Sequence, residues 1–296
     1  MVAILGGLGA ALSWAIATLS SSRTSRSIGP RSVLAWVMIV GLVASIIPAA
    51  LSRPIDLGVP QLVGLIALGL CQNIGLLLAY AALSIGRVSI VAPITATEGA
   101  LAAAISIVLG DPLDPVTALI LAVIAVGVVL AAIERTRTEE APTDPGQPTR
   151  PPTHDPAHNR RAALLALAAA GTFSIGLVLS GRLGAGGMPP AWVIVASRTI
   201  GILLIAVPLI AQRKLRLTRP ALPLVVLAGL LEAGGSAIYV VAASADIAVA
   251  AVLSSQFAAI AAVGGFLLFG ERLQRVQVAG VVIVAVGVTA LAAVRP

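Results

Sequence analysis

Charged side chains are scarce in this chain of 296 residues, since only 10% are Asp, Glu, Lys or Arg. Soluble domains carry about 25% of such residues. The shortage excludes a disordered chain, which needs high charge and low hydrophobicity. It also argues against a soluble globular enzyme, whose surface needs more charge than this. Most of the positive charge is arginine, because Lys214 is the only lysine among 19 basic residues.

Residues that often carry chemistry are also rare. The single cysteine, Cys71, excludes a disulfide framework and a cysteine-based zinc site. The spacing of His154 and His158 would suit a metal pair, but a solvated, proline-rich linker is the favoured interpretation. No Walker A, HExxH or GxSxG pattern occurs. The sequence therefore predicts neither an enzyme nor an ATP-driven pump, and it predicts no cofactor and no metal ion.

Apolar residues make up 58% of the chain. They come in blocks of about 20 residues, the length of helix that spans a bilayer. Gly and Pro, which end helices, are frequent between the blocks. The predicted spans are 2–20, 32–51, 61–83, 88–109, 116–133, 162–181, 191–211, 221–243, 247–269 and 276–294. The expected fold class is thus an all-α membrane protein with ten transmembrane helices.

Segment 134–161 differs from the rest in composition. It holds six prolines, five acidic residues and five arginines. Such a segment cannot bury a core, so we predict a linker. The linker separates two five-helix domains, residues 1–133 and 162–296. Because each half has an odd number of helices, we expect two inverted repeats around a central cavity, an arrangement common in secondary transporters.

Weak internal similarity accompanies this division. At a spacing of 159 residues, Tyr80 aligns with Tyr239, Thr95 with Ser254, Thr97 with Gln256, and Asn73 with Glu232. The residues that align are polar or aromatic and lie in corresponding helices of the two halves. The similarity favours an internal duplication.

The basic residues predict the orientation of the chain. Fifteen Lys and Arg lie in the loops on the side of segment 134–161, and three lie on the opposite side. Cytoplasmic loops carry the excess of positive charge in membrane proteins. We therefore expect a multi-pass protein of the plasma or inner cell membrane, with the linker in the cytoplasm and both chain ends outside.

A recurring pattern closes each half. In the second half, a fourth helix of small residues precedes Gly270, Glu271 and Leu273, and the last helix carries Gly287-Val288. The first half has Asp111 in place of the glutamate. With Ser13-Trp14 in the first helix and Arg198 in the seventh, these features resemble the EamA-like family of the drug/metabolite transporter superfamily. The resemblance implies a ten-helix, two-module exporter of metabolites or drugs. Members of the family are often drawn with both termini in the cytoplasm, whereas the distribution of basic residues in this sequence predicts both termini outside.

Three charged residues lie inside the predicted spans: Glu98, Arg198 and Glu232. Each costs at least ~2.5 kcal/mol at the centre of a membrane helix, so such residues usually border a cavity or pair with one another. We expect the two glutamates to border a polar cavity and at least one of them to exchange a proton. Arg198 would be a counter-charge or would bind a substrate carboxylate with its planar fork. The alternative is a static pair of Arg198 with Glu232 or Glu98.

Uncharged residues complete the predicted site. They are Trp14, which suits stacking on a planar substrate group, Gln72, Asn73, Tyr80, Thr95, Thr97, Tyr239, Ser254, Ser255 and Gln256. Each one alone is more often an interhelical hydrogen bond than a ligand. Pro93 and Gly234-Gly235 are predicted hinges. Stripes of small residues, Ala92 to Ala104 and Ala250 to Ala262 at every fourth position, either line the pathway or provide close packing.

These features favour a proton-coupled secondary transporter that exports small metabolites such as amino acids or drugs. The expected partners are a small-molecule substrate, protons and the lipid bilayer, without nucleic acid. An uncoupled channel-like facilitator or a non-transport membrane partner protein is the alternative, and a membrane-embedded enzyme is the least favoured. A monomer is sufficient for a pathway, and a dimer is compatible with the sequence.

Overall fold

The structure is a computed structural model that describes residues 1–52, 57–85, 91, 94–132, 156–257, 259–261, 263 and 275–294. All regular secondary structure in these ranges is helical. Ten elements follow one another, namely α1 (Val2–Ile28), α2 (Pro30–Leu51), α3 (Val59–Ile85), α4 (Glu98–Val108), α5 (Pro115–Ala132), α6 (Pro156–Ala185), α7 (Pro190–Ala211), α8 (Leu222–Ala245), α9 (Ile247–Ser254) and α10 (Arg275–Val294). Within α7, a π-helical turn at Ile202–Ala206 precedes Pro208, which has no backbone donor.

Six helices, α1, α2, α3, α6, α7 and α8, are long and apolar enough to cross a membrane. The helices α4, α5 and α10 are shorter and also apolar. These lengths and compositions indicate a multi-pass membrane protein with an all-helical fold. The six long helices fall on six of the predicted spans.

Two helix ends differ from the predictions. Helix α1 continues to Ile28 instead of ending at residue 20, and the chain turns only at Gly29, whose φ of 84° suits glycine. Helix α6 begins at Pro156, within the predicted linker 134–161. Proline is favourable in the first turn of a helix because its missing N–H would have no partner there. The linker segment 134–155 lies outside the described residues.

Two predicted spans, 88–109 and 247–269, are interrupted. A turn at Ala96–Thr97 precedes α4, and a turn at Ser255–Gln256 follows α9. The Thr97 hydroxyl donates to the Ile94 carbonyl at 2.7 Å, and the Ser255 hydroxyl donates to the Val252 carbonyl at 2.9 Å. Such local bonds offer the backbone an alternative to the helical ladder. Pro93, the predicted hinge of the first of these spans, lies outside the described residues, as do Ala92, Ala258 and Ala262.

Helices from the two parts of the chain pack against each other in pairs. Helix α1 runs along α8, α3 along α6 and α5 along α10, while α4 crosses α9 and α2 contacts α7. Small residues allow these close approaches: a Cβ atom on Gly127 would lie 2.9 Å from Ile283 and 3.1 Å from the Gly280 carbonyl oxygen. Close backbone contact is the main source of helix association in lipid. The interleaved pairing brings residues of both parts to the centre of the bundle.

Candidate functional site

A buried ion pair lies midway along α7 and α8. Arg198 of α7 pairs with Glu232 of α8. The side chain of Arg198 is 2% exposed and that of Glu232 is 27% exposed. The guanidinium also contacts the Met38 sulfur of α2 at 3.2 Å and donates to the Ser236 hydroxyl at 3.4 Å. Of the two static partners predicted for Arg198, the structure selects Glu232.

The guanidinium is incompletely bonded. A Cβ atom on Gly41 of α2 would lie 3.2 Å from both Cδ and Nε of Arg198, so glycine at this position leaves room for the arginine side chain. The Nε of Arg198 has no hydrogen-bond partner within the described ranges. Buried polar groups are almost always hydrogen-bonded. An unused donor therefore remains beside the ion pair.

A small cavity adjoins Arg198. Its volume is about 10 Å³, which is room for about one water molecule. Five helices contribute to its wall through Trp14, Gln72, Leu177, Ser180, Val193, Ile194, Ser197, Arg198, Ser236, Tyr239 and Val240. The wall combines hydroxyl, amide and guanidinium groups with apolar side chains, a mixture typical of small-molecule sites. Arg198 lies in this wall and Glu232 does not, so the cavity adjoins the arginine side of the ion pair.

Aromatic rings form one side of this cavity. The ring centroid of Trp14 lies 5.9 Å from that of Tyr239 and 6.4 Å from that of Phe257, the latter edge to face. The Trp14 indole donates to the Glu232 carbonyl oxygen at 3.4 Å, and the Tyr239 hydroxyl donates to the Leu177 carbonyl oxygen at 3.2 Å. Aromatic pairs at these separations are favourable. The stack holds Trp14 at the cavity wall.

Helix α3 adds two amides with different roles. The Ser197 hydroxyl donates to Gln72 Oε1 at 3.0 Å at the cavity wall. The Asn73 amide, 1% exposed, donates to the Gly69 and Ser197 carbonyl oxygens at 2.8 and 3.1 Å. Gln72 is therefore available to the cavity, whereas Asn73 fixes α3 against α7.

Glu98 is the first residue of α4, directly after the interruption of the predicted span. Its carboxyl group is close enough to the Tyr239 hydroxyl to interact with it electrostatically. Its backbone carbonyl accepts a hydrogen bond of 2.8 Å from Ser174 of α6. Tyr239, which interacts with Glu98, also lines the cavity beside Arg198.

The remaining predicted site residues are not brought to the cavity wall. The hydroxyls of Thr95, Thr97, Ser254 and Ser255 donate to carbonyls three or four residues earlier in the chain. Tyr80 is 36% exposed on α3, two turns beyond Asn73 and nearer the helix end. Gln256 is 2% exposed, and its Nε2 has no partner in the described part of the chain.

The predicted hinge at Gly234-Gly235 is a continuous part of α8. Glycine keeps its backbone donor, so the helical hydrogen bonds continue through the pair. A Cβ atom on Gly235 would lie 2.8 Å from Cδ1 and Nε1 of Trp14, whereas Gly234 has no atom within 4 Å of that position. Gly235 therefore provides space for the Trp14 ring.

Sequence reasoning missed Ser236, Ser197 and Met38. Ser236 follows Glu232 by four residues and so lies on the same helix face. Ser197 is adjacent to Arg198. Charge within an apolar span identified Arg198 and Glu232, and the four-residue helical spacing from Glu232 would have identified Ser236. Nothing in the sequence marks Met38.

A second, larger cavity lies where α4, α6 and α8 end. Its volume is about 380 Å³. Arg182 of α6 and Asp111 of the α4–α5 loop form an ion pair of 2.9 Å in its wall. Asp246, also in the wall, caps α9 by accepting from the Val249 amide at 3.0 Å. We call this cavity the vestibule. In the described part of the chain, no group of three His, Cys, Asp or Glu residues is arranged to hold a metal ion.

The architecture and these side chains agree with a comparison of protein families. The sequence profile of the EamA-like transporter family matches residues 1–133. This family is part of the drug/metabolite transporter superfamily, so the resemblance seen in the sequence is confirmed. The family implies a membrane transporter and not an enzyme. The EamA-like match includes Trp14, Gln72 and Glu98, while Arg198 and Glu232 lie beyond it.

The fold is also found in a solved structure. A crystal structure described only as that of a protein matches 99% of this chain and 96% of its own length, with a TM-score of 0.75 and 20% sequence identity. At this identity the match supports the fold alone. No curated protein sequence matches the chain.

Proposed function

We propose that this chain is a secondary active transporter that exports small metabolites, such as amino acids or drugs, in exchange for protons. The observation that carries the proposal is the Arg198–Glu232 pair, which lies beside a small cavity in the middle of an apolar bundle. Charged residues at this depth mark substrate or proton paths in membrane proteins. Glu98, which interacts electrostatically with Tyr239 of the cavity wall, is the second carboxyl group available for proton exchange.

We further propose that residues 1–133 and 162–296 are two inverted five-helix repeats. Reciprocal contacts support this. Ser13 and Trp14 of α1 lie against Gly235 of α8, while Thr172 and Phe173 of α6 lie against Gly75 of α3. Each pair on the first helix of one half meets a glycine on the third helix of the other half, as a twofold axis requires.

The contacts between α2 and α7 are reciprocal in the same way. A Cβ atom on Gly41 would meet Arg198, and a Cβ atom on Gly201 would lie 2.7 Å from the Met38 sulfur. Met38 and Gly41 precede Arg198 and Gly201 by the same interval in the sequence. The twofold axis that we propose therefore passes between these two helices, next to the ion pair.

The helix interruptions fit this symmetry and suggest a role in transport. Ala96–Thr97 and Ser255–Gln256 occupy the same position in the two halves. Transporters with inverted repeats commonly place discontinuous helices around a midplane site. We propose that these two interruptions are the points at which the halves bend as the cavity opens to alternate sides.

The direction of transport follows from the predicted orientation. Loops 110–115 and 244–246, which border the vestibule, lie on the side with few basic residues. The positive-inside rule assigns that side to the exterior. In this proposal the vestibule is the exit of an export pathway.

The test is flux into liposomes that contain the purified protein. Substrates are first found by comparing the metabolites in the spent medium of cells with and without the protein. A coupled carrier accumulates the labelled substrate when a proton gradient is imposed, and a protonophore abolishes the accumulation. An uncoupled facilitator would equilibrate the substrate with or without the gradient, and that result would refute coupling.

The two carboxyl groups are tested in the same assay. We expect Glu98→Gln and Glu232→Gln to lose proton-driven accumulation, because an amide does not exchange a proton at neutral pH. Asp114→Asn is the matched control, since Asp114 only caps α5 by accepting from the Thr117 amide at 3.0 Å. Full accumulation by both glutamate variants would remove these residues from the mechanism.

A further inference from the structure

The central ion pair is present in only one of the proposed repeats. Met38 occupies the position that corresponds to Arg198 at a spacing of 160 residues, and Glu232 corresponds to Gln72 at that spacing or to Asn73 at a spacing of 159. Met38 and Asn73 are neutral, and both lie beside Gly201. The cavity therefore has one cationic group, which makes it a directional site for a ligand with one anionic end.

Arg198 has the properties of a ligand-binding group. It is 2% exposed, it lines the cavity, and its Nε has no partner within the described residues. An arginine fork binds a carboxylate through two parallel hydrogen bonds. Because the Nε donor is unused, the guanidinium can donate one more hydrogen bond than it does in this conformation.

The Glu232 carboxylate makes few polar contacts among the described residues. The Trp14 indole and the Ser236 hydroxyl donate to its backbone carbonyl, not to its carboxylate. The carboxylate has Arg198 as its one partner among the described residues. A buried pair is stable when further hydrogen bonds satisfy its remaining lone pairs. Another carboxylate can therefore replace that of Glu232 at the Arg198 guanidinium.

We propose that Arg198 binds the carboxylate of the transported substrate and that Glu232 occupies this carboxylate site when no substrate is present. This inference deepens the proposed function by naming the substrate class, a monocarboxylate with an apolar body. The apolar body would lie against Leu177, Val193 and Ile194, which line the same cavity. The cavity has room for about one water molecule, so a ligand enters only after the Glu232 side chain has left the guanidinium.

The charged groups around this exchange come from three helices. Arg198 approaches from α7, and Tyr239 lies on α8 two turns beyond Glu232. Glu98 of α4 interacts electrostatically with Tyr239. Arg198 is thus the one cation at the site in the described part of the chain, and the substrate and Glu232 compete for it.

The test measures ligand-induced thermal stabilisation of the full chain in detergent micelles. The probes are pairs of equal shape, a carboxylate and its amide: acetate and acetamide, isobutyrate and isobutyramide, benzoate and benzamide. A ligand that binds only the folded protein raises its unfolding temperature. We expect at least one carboxylate to stabilise the wild type more than its amide does.

The variants separate competition from static pairing. Glu232→Gln removes the internal competitor, so we expect the stabilising carboxylate to bind at least tenfold more tightly. Arg198→Met, which copies Met38 of the other half, should abolish the difference between carboxylate and amide. If that variant does not fold, Arg198→Lys keeps the charge and should weaken carboxylate binding about tenfold, because it loses the fork.

The matched control is Arg216→Met, since Arg216 is exposed and its observed hydrogen bonds are made by its backbone. It should bind like the wild type. Equal or weaker carboxylate binding by Glu232→Gln would overturn the proposal, and so would the absence of any carboxylate preference in the wild type. Neither result would affect proton-driven flux of another substrate in liposomes, so failure of this inference is distinct from failure of the proposed function.

Discussion

At the scale of single residues, two neighbouring glycines on α8 have different surroundings. Gly235 faces Trp14, and a Cβ atom there would lie 2.8 Å from the indole ring, while Gly234 faces open space. The hinge predicted from the sequence treated the two glycines alike. The structure assigns to one of them a packing role at the wall of the cavity.

This difference predicts opposite effects of the same substitution. Gly235→Ala should destabilise the protein by about 1–3 kcal/mol, because the added methyl group overpacks the Trp14 contact. Gly234→Ala should be neutral or stabilising by up to about 1 kcal/mol, because alanine favours helix. Thermal unfolding in detergent micelles measures both variants. Equal destabilisation by the two would contradict the contact with Trp14.

How far the sequence predicted the site depended on the kind of residue. Arg198 and Glu232 were identified because charge within an apolar span needs a partner, and the predicted pair is present. The hydroxyl groups were less predictable, because those of Thr95 and Ser254 donate hydrogen bonds to backbone carbonyl oxygens three or four residues earlier. Sequence alone does not distinguish a hydroxyl that bonds to its own helix from one that faces a cavity.

At the scale of helices, a glycine near the start of α4 allows α4 and α9 to cross closely. A Cβ atom on Gly99, one residue after Glu98, would clash with the Ala251 carbonyl oxygen and lie 2.6 Å from Ser255 Oγ. The contact involves backbone, which does not yield as a flexible side chain does. The crossing therefore requires glycine at this position.

We expect Gly99→Ala to separate α4 from α9 and to destabilise the protein by about 1–3 kcal/mol, with loss of substrate flux in liposomes. Gly171→Ala on α6 is the control, because no atom lies within 4 Å of its Cβ position. The unfolding temperature and the flux of both variants give the comparison. Unchanged flux in Gly99→Ala would show that the α4–α9 crossing is not needed for transport.

The helical positions were largely predictable, and the interruptions were not. Apolar blocks gave the six long spans, because the length of a membrane helix is set by the bilayer. Ala96–Thr97 and Ser255–Gln256 carry no Gly or Pro, and the nearest hinge predicted from the sequence was Pro93, three residues before the first turn. The hydroxyls of Thr97 and Ser255 donate to carbonyl oxygens three residues earlier, and a hydroxyl inside an apolar span does not by itself predict an interruption.

At the scale of the whole molecule, the orientation in the membrane remains a prediction, and labelling can test it. After Cys71→Ser removes the natural thiol, Ser244→Cys places a thiol in the wall of the vestibule and Arg219→Cys places one at an exposed site on the opposite side. In intact cells, a membrane-impermeant maleimide should label Ser244→Cys and not Arg219→Cys, because the basic side is cytoplasmic. The reverse pattern would support termini in the cytoplasm.

If the two halves are the inverted repeats that we propose, the difference between the charged pair Arg198–Glu232 and the neutral residues Met38 and Asn73 has a consequence for direction. Two inverted halves of identical sequence would be energetically degenerate, because the twofold axis would make the state open to one face of the membrane equivalent to the state open to the other. A charged pair in one half and a neutral pair in the other removes that degeneracy. These four side chains would then determine which of the two states is favoured. Exchanging them between the halves would reverse that preference.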